Sequence, residues 1–210
     1  MTSSAAQGRP LLVTDCDEVL LHMVRHFANW LDEEHAISFR PEDGSMAGAL
    51  KHRDNGETVP SERVWPLLHG FFEGQMHRQT IVPGALEALG TIGEKADIVI
   101  LTNLVEEARE GRIEQLARFG IRHEVVCNTG GKGTPLKAIV ERHRANAHVF
   151  VDDLAVHHAS VAKHSPATQR LHMVADEPLA RATVTAEHAH ARIDDWTVAT
   201  PWILDRLEGR

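Results

Sequence analysis

The sequence predicts an α/β protein whose Rossmann-like parallel sheet is flanked by helices and carries a small α-helical cap after its first strand. Short apolar runs alternate along the chain with segments in which apolar residues recur at helical spacing. Strands that alternate with helices form parallel sheets through right-handed crossovers. The alternation stops between residues 21 and 80, where helical spacing continues without an apolar strand run. We therefore expect a core of residues 1–20 and 81–210 and a cap of residues 21–80.

The predicted core strands are short and largely apolar, which is typical of strands that are covered on both faces. In chain order they are residues 11–13, 96–101, 124–127, 148–151 and 171–174. The helices predicted between and after them include Leu89, Leu116, Ile139 and Leu204, and Gly120 is expected to end the second of these helices.

Two helices are predicted within the cap. Apolar residues at helical spacing indicate the first one from Leu20 to about His35. Ser61 is expected to cap the second helix, and Pro66 falls near its first turn, where proline is tolerated. The stretch between the two helices, residues 40–60, is polar and shows no clear period. We therefore expect the whole cap to be helical.

Composition and charge limit the classes of function. The 210 residues are 42% hydrophobic and 25% charged, as in ordinary globular proteins, and the formal net charge is −8 at pH 7. This charge argues against binding to a nucleic-acid polymer or an anionic membrane, because both attract basic surfaces. No apolar segment is long enough to span a bilayer, and residues 1–9 are expected to form a loose tail without a signal-peptide pattern. Two cysteines suggest no disulfide framework, so we expect a cytoplasmic protein.

Fifteen histidines invite a metal interpretation, but their spacing does not support zinc. His22 and His26 have the spacing of a zinc-binding helix, yet Met23 occupies the position where that motif needs glutamate. The histidines at 157 and 158 and at 188 and 190 lack further ligands at zinc spacing. We therefore expect these histidines to lie on the solvated surface.

Reactive side chains follow the predicted strands where each strand ends or shortly afterwards. They are Asp15, Asp17, Thr102, Asn103, Lys132, Asp152 and Asp153. Because the carboxyl ends of parallel strands lie on one edge of a sheet, these side chains can converge although they are far apart in sequence. Four gathered carboxylates need a cation, and an oxygen-rich cluster is what Mg²⁺ selects, usually together with substrate phosphate. The sequence therefore predicts a Mg²⁺ site that binds a small phosphorylated ligand.

Four segments, in order across almost the whole chain, resemble the motifs of the haloacid dehalogenase superfamily, a phosphatase-rich group with an aspartate nucleophile. Residues 11–20, LLVTDCDEVL, fit its first motif, an apolar run followed by D-x-D-x-[TV]-L. Residues 98–103, IVILTN, fit the second motif, an apolar strand that ends in serine or threonine. Lys132 in GKGTPL fits the third, a lysine before a helix, and residues 149–153, VFVDD, fit the fourth, a strand that ends in an acidic pair. The insert follows the first motif, where the family places its helical cap.

The resemblance implies hydrolysis of a phosphate ester in two steps. Asp15, held by Lys132 and the metal, is expected to attack phosphorus and become an aspartyl phosphate. Asp17 is expected to protonate the leaving oxygen and then, as a base, to activate water. We expect neighbouring carboxylates and shelter under the cap to help Asp17 hold its proton.

The resemblance also implies which residues bind phosphate and metal. Thr102 is expected to donate its hydroxyl, and Asn103 its backbone amide, to oxygens of the phosphoryl group, alongside Lys132. Mg²⁺ is expected to bind a backbone carbonyl, of Cys16 or Asp17, and three carboxylates; in the family pattern the carbonyl belongs to the second aspartate, Asp17. The three carboxylates are those of Asp15, Asp152 and Asp153.

Single positions have other interpretations. Lys137 competes with Lys132, but we prefer Lys132 because Lys137 falls within a predicted helix, where a solvated face is usual. The glycine-rich loop around Lys132 differs from a nucleotide-binding P-loop, which would need glycine in place of Val126. Without the other motifs, Asp152 and Asp153 would indicate a helix cap with a solvated neighbour.

The aspartate at position 17 favours phosphate-ester hydrolysis, because the resemblance implies that dehalogenases and phosphonate-cleaving relatives lack it. The segment from Asp15 to Leu20 also resembles the small 5′(3′)-deoxyribonucleotidases, so a nucleotide is a candidate substrate. Two other classes of function stay open at this point. One is a phosphotransferase that uses an acceptor other than water, and the other is a binding module that kept the fold without turnover.

Overall fold

A computed structural model describes residues 8–40 and 46–209 of the chain, so most of the predicted tail lies outside the described residues. No helix within these ranges combines the length and the apolar character that crossing a membrane requires. In chain order the elements are β1 (Leu11–Thr14), β2 (Leu21–His22), α1 (Val24–His35), β3 (Ile37–Phe39), α2 (Met46–Ala49), β4 (Leu50–His52), α3 (Ser61–Gly74), β5 (Thr80–Ile81), α4 (Ala85–Gly93), β6 (Asp97–Thr102), α5 (Arg109–Arg118), β7 (Glu124–Cys127), α6 (Gly133–His143), β8 (His148–Asp152), α7 (Ala155–His164), β9 (Gln169–His172), α8 (Glu177–Ala182), β10 (Ala191–Arg192) and α9 (Trp196–Leu207).

Six strands form one parallel sheet in the order β10-β9-β8-β1-β6-β7, which confirms the predicted fold class. β1 lies between β8 and β6, and its register aligns Thr14 with Val151 and Ile100. The chain builds β6 and β7 on one side of β1 and then returns to build β8, β9 and β10 on the other. Such a reversal opens a crevice at the carboxyl ends of the neighbouring strands. Asp15 and Asp152 therefore emerge beside each other at this crevice.

Helices cover both faces of the sheet, so β1 is apolar at three successive positions. Leu11 and Val13 pack with Leu136 of α6 and Val161 of α7 on one face. Leu12 packs on the other face, in a cluster that includes residues of α4, α5 and α9. Full burial of an aliphatic side chain contributes roughly 1.5–3 kcal/mol. Burial on both faces explains why the core strands lack the polar alternation of a half-exposed sheet.

The insert between β1 and α4 has an apolar cluster of its own, built mainly from α1 and α3. Phe27 and Phe71 belong to this cluster, and their ring centroids are 5.5 Å apart. The expectation of a purely helical cap is wrong, because β2 pairs with β5 and β3 pairs with β4, both antiparallel. Each of these strands has two or three residues and most mix polar with apolar side chains, so they form no apolar run.

The starts of two insert helices differ from the predicted positions. α1 begins at Val24 rather than near Leu20, because residues 21 and 22 form a strand that pairs with β5. Pro60 occupies the N-cap position of α3, so Ser61 is the first helical residue rather than the cap. Both differences arise from contacts or backbone angles that helical spacing does not encode.

Candidate active site

Three of the four predicted carboxylates gather at the carboxyl ends of β1 and β8. Asp15 follows β1, Asp152 ends β8 and Asp153 comes next in the chain. One carboxylate oxygen from each residue lies within 4.8 Å of the others. Among residues 8–40 and 46–209, this is the group of side chains that lies close enough together to hold a metal ion. Asp15 and Asp152 are buried, whereas Asp153 is partly buried. We call these three residues the acidic cluster.

Lys132 supplies a buried positive charge to the acidic cluster. Its Nζ lies 2.7 Å from Asp15 Oδ1 and 2.7 Å from Asp152 Oδ2, and only the contact with Asp152 also has hydrogen-bond geometry. Burial alone would lower the pKa of Lys132, but its ion pairs with the two aspartates raise the pKa above its ordinary value. The competing residue, Lys137, is exposed on α6 and lies 3.6 Å from Glu141.

The loop that carries Lys132 packs tightly against α7. A Cβ atom at Gly133 would lie 2.1 Å from the backbone oxygen of Ser160, a distance that no side chain tolerates. The backbone N–H of Gly133 also donates to Ser160 Oγ at 3.0 Å. Glycine at this position therefore allows the close approach that brings Lys132 next to the acidic cluster.

Negative charge exceeds positive charge within the acidic cluster. The pKa of Asp15 is raised to about 7, mainly by burial and less by the carboxylates of Asp152 and Asp17, while Lys132 opposes the rise. The pKa of Asp153 is also raised, first by burial and then by the charges of Asp152 and Asp15. Closely spaced carboxylate oxygens that share one lysine are donors of the kind that a hard divalent cation prefers. The residues of the acidic cluster therefore fit Mg²⁺.

The carboxylate of Asp17 lies outside the acidic cluster and faces a cation. Arg112 Nη2 donates to both Asp17 oxygens, at 3.0 and 2.9 Å, and Gln79 Nε2 donates to Oδ1 at 2.6 Å. The Arg112 side chain is fully buried, and the Asp17 side chain is only 15% exposed. We expected neighbouring carboxylates to act on Asp17, whereas the groups that directly contact its carboxylate are a buried arginine and an amide.

Arg112 joins three parts of the molecule. Its Nη1 donates to Gln115 Oε1 at 3.0 Å on the same helix and to Cys16 Sγ at 3.3 Å beside Asp17. Its guanidinium carbon lies 5.6 Å from the centroid of the Phe72 ring on α3. We call Asp17, Gln79, Arg112 and Gln115 the arginine clamp, because together they fasten the loop after β1 to α5 and to the end of the insert.

Glu18 fastens the start of the insert. It is buried and adopts a left-handed backbone conformation, with φ of 58°. Its Oε1 accepts hydrogen bonds from the backbone N–H groups of Met23 and Val24, at 2.7 and 2.6 Å, and its Oε2 accepts one from Asp176 at 3.0 Å. Burial outweighs these bonds and raises the pKa of Glu18 to about 7. This carboxylate thus stabilises the first turn of α1 and links it to the residue before α8.

Comparison with known proteins identifies the fold. No protein-family profile and no curated protein sequence matches the chain. Among solved structures, a protein of Burkholderia xenovorans described as a haloacid dehalogenase-like hydrolase matches with a TM-score of 0.63 and 17% identity, over 95% of this chain and 99% of that one. The chain has the haloacid dehalogenase-like fold.

Two further structures with the haloacid dehalogenase-like fold match over similar lengths. A magnesium-bound hydrolase from Bacillus subtilis gives a TM-score of 0.63 at 13% identity, over 94% of this chain and 99% of that chain. A predicted phosphoglycolate phosphatase from Haemophilus somnus gives a TM-score of 0.61 at 13% identity, over 91% and 96%. The similarity extends over nearly the whole of each chain, so it includes the insert as well as the sheet.

Thr102 and Asn103 occupy different surroundings at the end of β6 in this haloacid dehalogenase-like fold. Thr102 is fully buried, and its Oγ1 has no hydrogen-bond partner among the described residues, which is uncommon for a buried hydroxyl. The Asn103 side chain is exposed, and its Nδ2 donates to the backbone oxygen of Gly130 at 3.0 Å. The hydroxyl of Thr102 is therefore a buried donor without a partner among the described residues, whereas the amide side chain of Asn103 braces the loop before Lys132.

Sequence reasoning missed the two residues that hold Asp17 in this haloacid dehalogenase-like fold. Arg112 precedes Leu116 by four residues and Phe119 by seven, so helical spacing places it on the apolar side of α5. A charged residue at such a position signals a buried partner, and this signal could have revealed it. Gln79 carries no comparable signal, because its role depends on where the end of the insert meets α5.

The expectation of surface histidines is wrong at three positions. His22, His157 and His158 are buried, and burial lowers the pKa of both His22 and His158 to about 4. His158 Nε2 contacts the backbone oxygen of Asp152 at 3.0 Å. The metal-ligand group found within the described ranges contains no histidine, so the buried histidines are packing residues of the core and the insert.

Proposed function

We propose that the chain is a magnesium-dependent phosphatase that hydrolyses a small phosphate monoester through an aspartyl phosphate on Asp15. The observation that carries this proposal is the meeting of Asp15 with Lys132, Asp152 and Asp153 at one sheet edge. The shared fold with a predicted phosphoglycolate phosphatase and with a magnesium-bound hydrolase supports the same class of reaction.

The proposed reaction has two displacements at phosphorus. The Asp15 carboxylate attacks phosphorus, the bond from phosphorus to the ester oxygen breaks, and Asp17 gives its proton to that oxygen as the alcohol leaves. Asp17 then takes a proton from water, whose oxygen attacks the aspartyl phosphate, and phosphate leaves while the Asp15 carboxylate is restored. Each proton that Asp17 donates is thus returned to it within one cycle.

Phosphate binding is assigned to groups around Asp15. Lys132, the Thr102 hydroxyl and the Asn103 backbone amide are proposed to bind oxygens of the phosphoryl group. The unpaired Oγ1 of Thr102 supports its part in this assignment. Mg²⁺, held by Asp15, Asp152, Asp153 and the backbone carbonyl of Asp17, would neutralise charge on the transferring phosphoryl group.

We also propose that residues 21–80 act as a cap over a core of residues 1–20 and 81–210. The apolar cluster built mainly from α1 and α3, which meets the core at Leu104, supports this division, as does the pairing of β2 with β5 where the chain leaves and rejoins the core. The proposed setting is the cytoplasm, with no nucleic-acid polymer or membrane as partner, which agrees with the net charge of −8 and two free cysteines.

The test is turnover of an aryl phosphate by the purified chain, with Mg²⁺ and with a chelator. We expect phosphate release that requires Mg²⁺ and that Asp15→Asn lowers by about 10⁴-fold or more, because the amide cannot replace the nucleophile. Asp32→Asn is the matched control, because Asp32 is exposed on α1 and pairs with Arg53 at 3.0 Å. Circular dichroism should show the same fold for both variants.

Four outcomes would contradict the proposal in different ways. Substantial activity of Asp15→Asn would remove Asp15 as the nucleophile, and full activity with the chelator would remove the metal. No turnover across nucleotides, sugar phosphates and phosphorylated acids would favour a binding module. Faster turnover in the presence of added alcohols or sugars would favour a phosphotransferase.

A further inference from the structure

A cavity of about 300 Å³ lies between α3 of the insert and the loops that follow β6 and β7. One wall consists of Trp65, Leu68 and Phe72 on α3, and the opposite wall includes Leu104 and Val105. The Trp65 side chain is 66% exposed, which is a large exposed fraction for tryptophan. The volume is at the lower end of the range for small-molecule sites.

Residues that line the cavity are close in sequence to residues of the proposed phosphate site. Asn103 lines the cavity and directly follows Thr102, while Gly130 lines it two residues before Lys132. The side-chain amides of Asn103 and Asn128 both donate to the backbone oxygen of Gly130, at 3.0 and 3.1 Å. These bonds hold the two loops together. Because Asn103 both lines the cavity and supplies a backbone amide to the proposed phosphate site, the cavity lies beside that site.

The lining selects against additional negative charge. Among the described lining residues, Glu73 carries an acidic side chain, and none is lysine or arginine. The nearby guanidinium of Arg112 lies behind the Phe72 ring and is already paired with Asp17. A second phosphate or a carboxylate would therefore enter the cavity beside Glu73 with no lysine or arginine to balance it, and His69 is the one titratable base among the described lining residues.

The lining also selects against groups rich in hydroxyls. The walls offer mainly aromatic and aliphatic surface, and the Asn103 and Asn128 amides already bond to Gly130. Hydroxyl groups that lose water without gaining hydrogen bonds are costly to bury, whereas a flat ring gains by packing against an exposed indole.

From this lining we infer that the substrate is the phosphate monoester of an uncharged alcohol or phenol that carries a flat ring, and that the ring occupies the cavity against Trp65. This inference rests on the proposed phosphatase function and narrows its substrate class. It favours aryl esters and nucleoside monophosphates over sugar phosphates and phosphorylated acids. The small volume argues for a low-molecular-weight ligand rather than a segment of another protein.

The test compares kcat/KM for 1-naphthyl phosphate, a nucleoside 5′-monophosphate, glucose 6-phosphate and phosphoglycolate. At least one ring-bearing ester should be the best substrate. Trp65→Ala should lower kcat/KM for that ester about tenfold, mainly through KM, and Trp65→Phe should restore most of it. Phosphoglycolate should be unaffected by Trp65→Ala. Val198→Ala, at an exposed site on α9, is the control for a lost apolar side chain.

Reversal of the charge at Glu73 tests whether the cavity lining excludes negatively charged groups. Glu73→Lys should raise kcat/KM for phosphoglycolate by up to about fivefold, because it adds a cation at the partly exposed wall. Equal or faster turnover of glucose 6-phosphate or phosphoglycolate by the unmodified chain would overturn the inference and leave the phosphatase proposal intact.

A binding measurement separates the two proposals if turnover is absent. In the Asp15→Asn variant, calorimetry should show tighter binding of 1-naphthyl phosphate than of phosphoglycolate, and Trp65→Ala should remove the difference. Absence of turnover together with this binding preference would overturn the phosphatase proposal and support the assignment of the cavity as the site of the ring. Equal binding of the two esters would overturn the cavity assignment whatever the catalytic result.

Discussion

Asp15 and Asp17 are two residues apart, yet they belong to regions that are built in different ways. Asp15 lies in the acidic cluster, where every member follows or ends a strand of the central sheet. Asp17 lies in the arginine clamp, whose other members come from α5 and from residue 79 at the end of the insert. The first region is therefore part of the core alone, whereas the second depends on where the insert docks.

The two regions also differ in charge balance. The acidic cluster combines three carboxylates with Lys132, and the pKa of Asp15 is raised to about 7. The arginine clamp pairs one carboxylate with one guanidinium and two neutral amides. A cation is thus favoured in the acidic cluster, whereas the arginine clamp is already neutral. The difference teaches that two acids only two residues apart can belong to a carboxylate-rich cluster and to an ion pair with arginine.

The strongest test of the difference between the acidic cluster and the arginine clamp is to replace Asp17 with an uncharged side chain of the same size. Asp17→Asn should lower turnover by about 10²–10³-fold, because proton transfer is lost while the nucleophile stays. Steady-state kinetics beside Asp15→Asn and Asp32→Asn provide the measurement. Normal cycling of Asp17→Asn would leave the arginine clamp with a structural role only.

Removal of the guanidinium should break the clamp and spare the acidic cluster. Arg112→Met should reduce the free energy of unfolding by about 3 kcal/mol, because Asp17 loses its buried partner. Urea unfolding measures this loss, and Arg118→Met on the exposed part of the same helix is the control. Thermal stabilisation by Mg²⁺ should persist in Arg112→Met, since the three carboxylates proposed to bind the ion lie outside the clamp and only the backbone carbonyl of Asp17 is shared. Loss of the Mg²⁺ response would show that the two regions are coupled.

The smallest expected effect is on the free energy of unfolding and concerns His22 at the start of the insert. The arginine clamp depends on the placement of this insert. His22 is buried in β2, and burial, with smaller effects of Arg25 and His26, lowers its pKa to about 4. Asp176 also faces this ring and opposes the shift. The unfolded chain binds the proton near pH 6.5, so the contribution of His22 to stability is present above that pH and declines as pH falls towards 4.

Replacement of this histidine should therefore reduce the sensitivity of the fold to acid. Between pH 6.5 and 5.5 the free energy of unfolding should fall by about 1 kcal/mol less in His22→Asn than in the unmodified chain. His77→Asn, at an exposed site in the same insert, should retain the original pH dependence. An unchanged slope in His22→Asn would mean that other buried histidines, such as His158, account for acid sensitivity.

Sequence patterns predicted five of the six strands of the sheet, because most of these strands are short, apolar and buried. The fifth was expected at 171–174 but spans Gln169–His172, and the two-residue β10 was not predicted. The predicted strand at 124–127 has the observed bounds, and Asp15 and Asp152 lie together as the parallel register requires. The insert was predicted less well. Its four short strands contain too few residues to show a period, and its helices begin where neighbouring strands allow them to begin.

Burial of polar side chains was the main property that local patterns did not predict. His22 and His158 are ordinary surface residues by type, and only the packing of elements distant in sequence encloses them. Arg112 was detectable in principle from its place on the apolar side of α5, but its partner Asp17 was not. A helical pattern identifies the buried face of a helix without identifying what lies against it.

By itself, the sequence determined the parallel sheet and the gathering of acids at one of its edges, because alternating strands and helices bring all strand ends to the same side. Only the tertiary structure decided that Asp17 pairs with Arg112, that Gln79 reaches it from the insert, and that an apolar cavity opens beside Trp65. The alternation of strands and helices and the parallel direction of the strands follow from local periodicity and crossover chirality, whereas these contacts depend on how the insert meets the core.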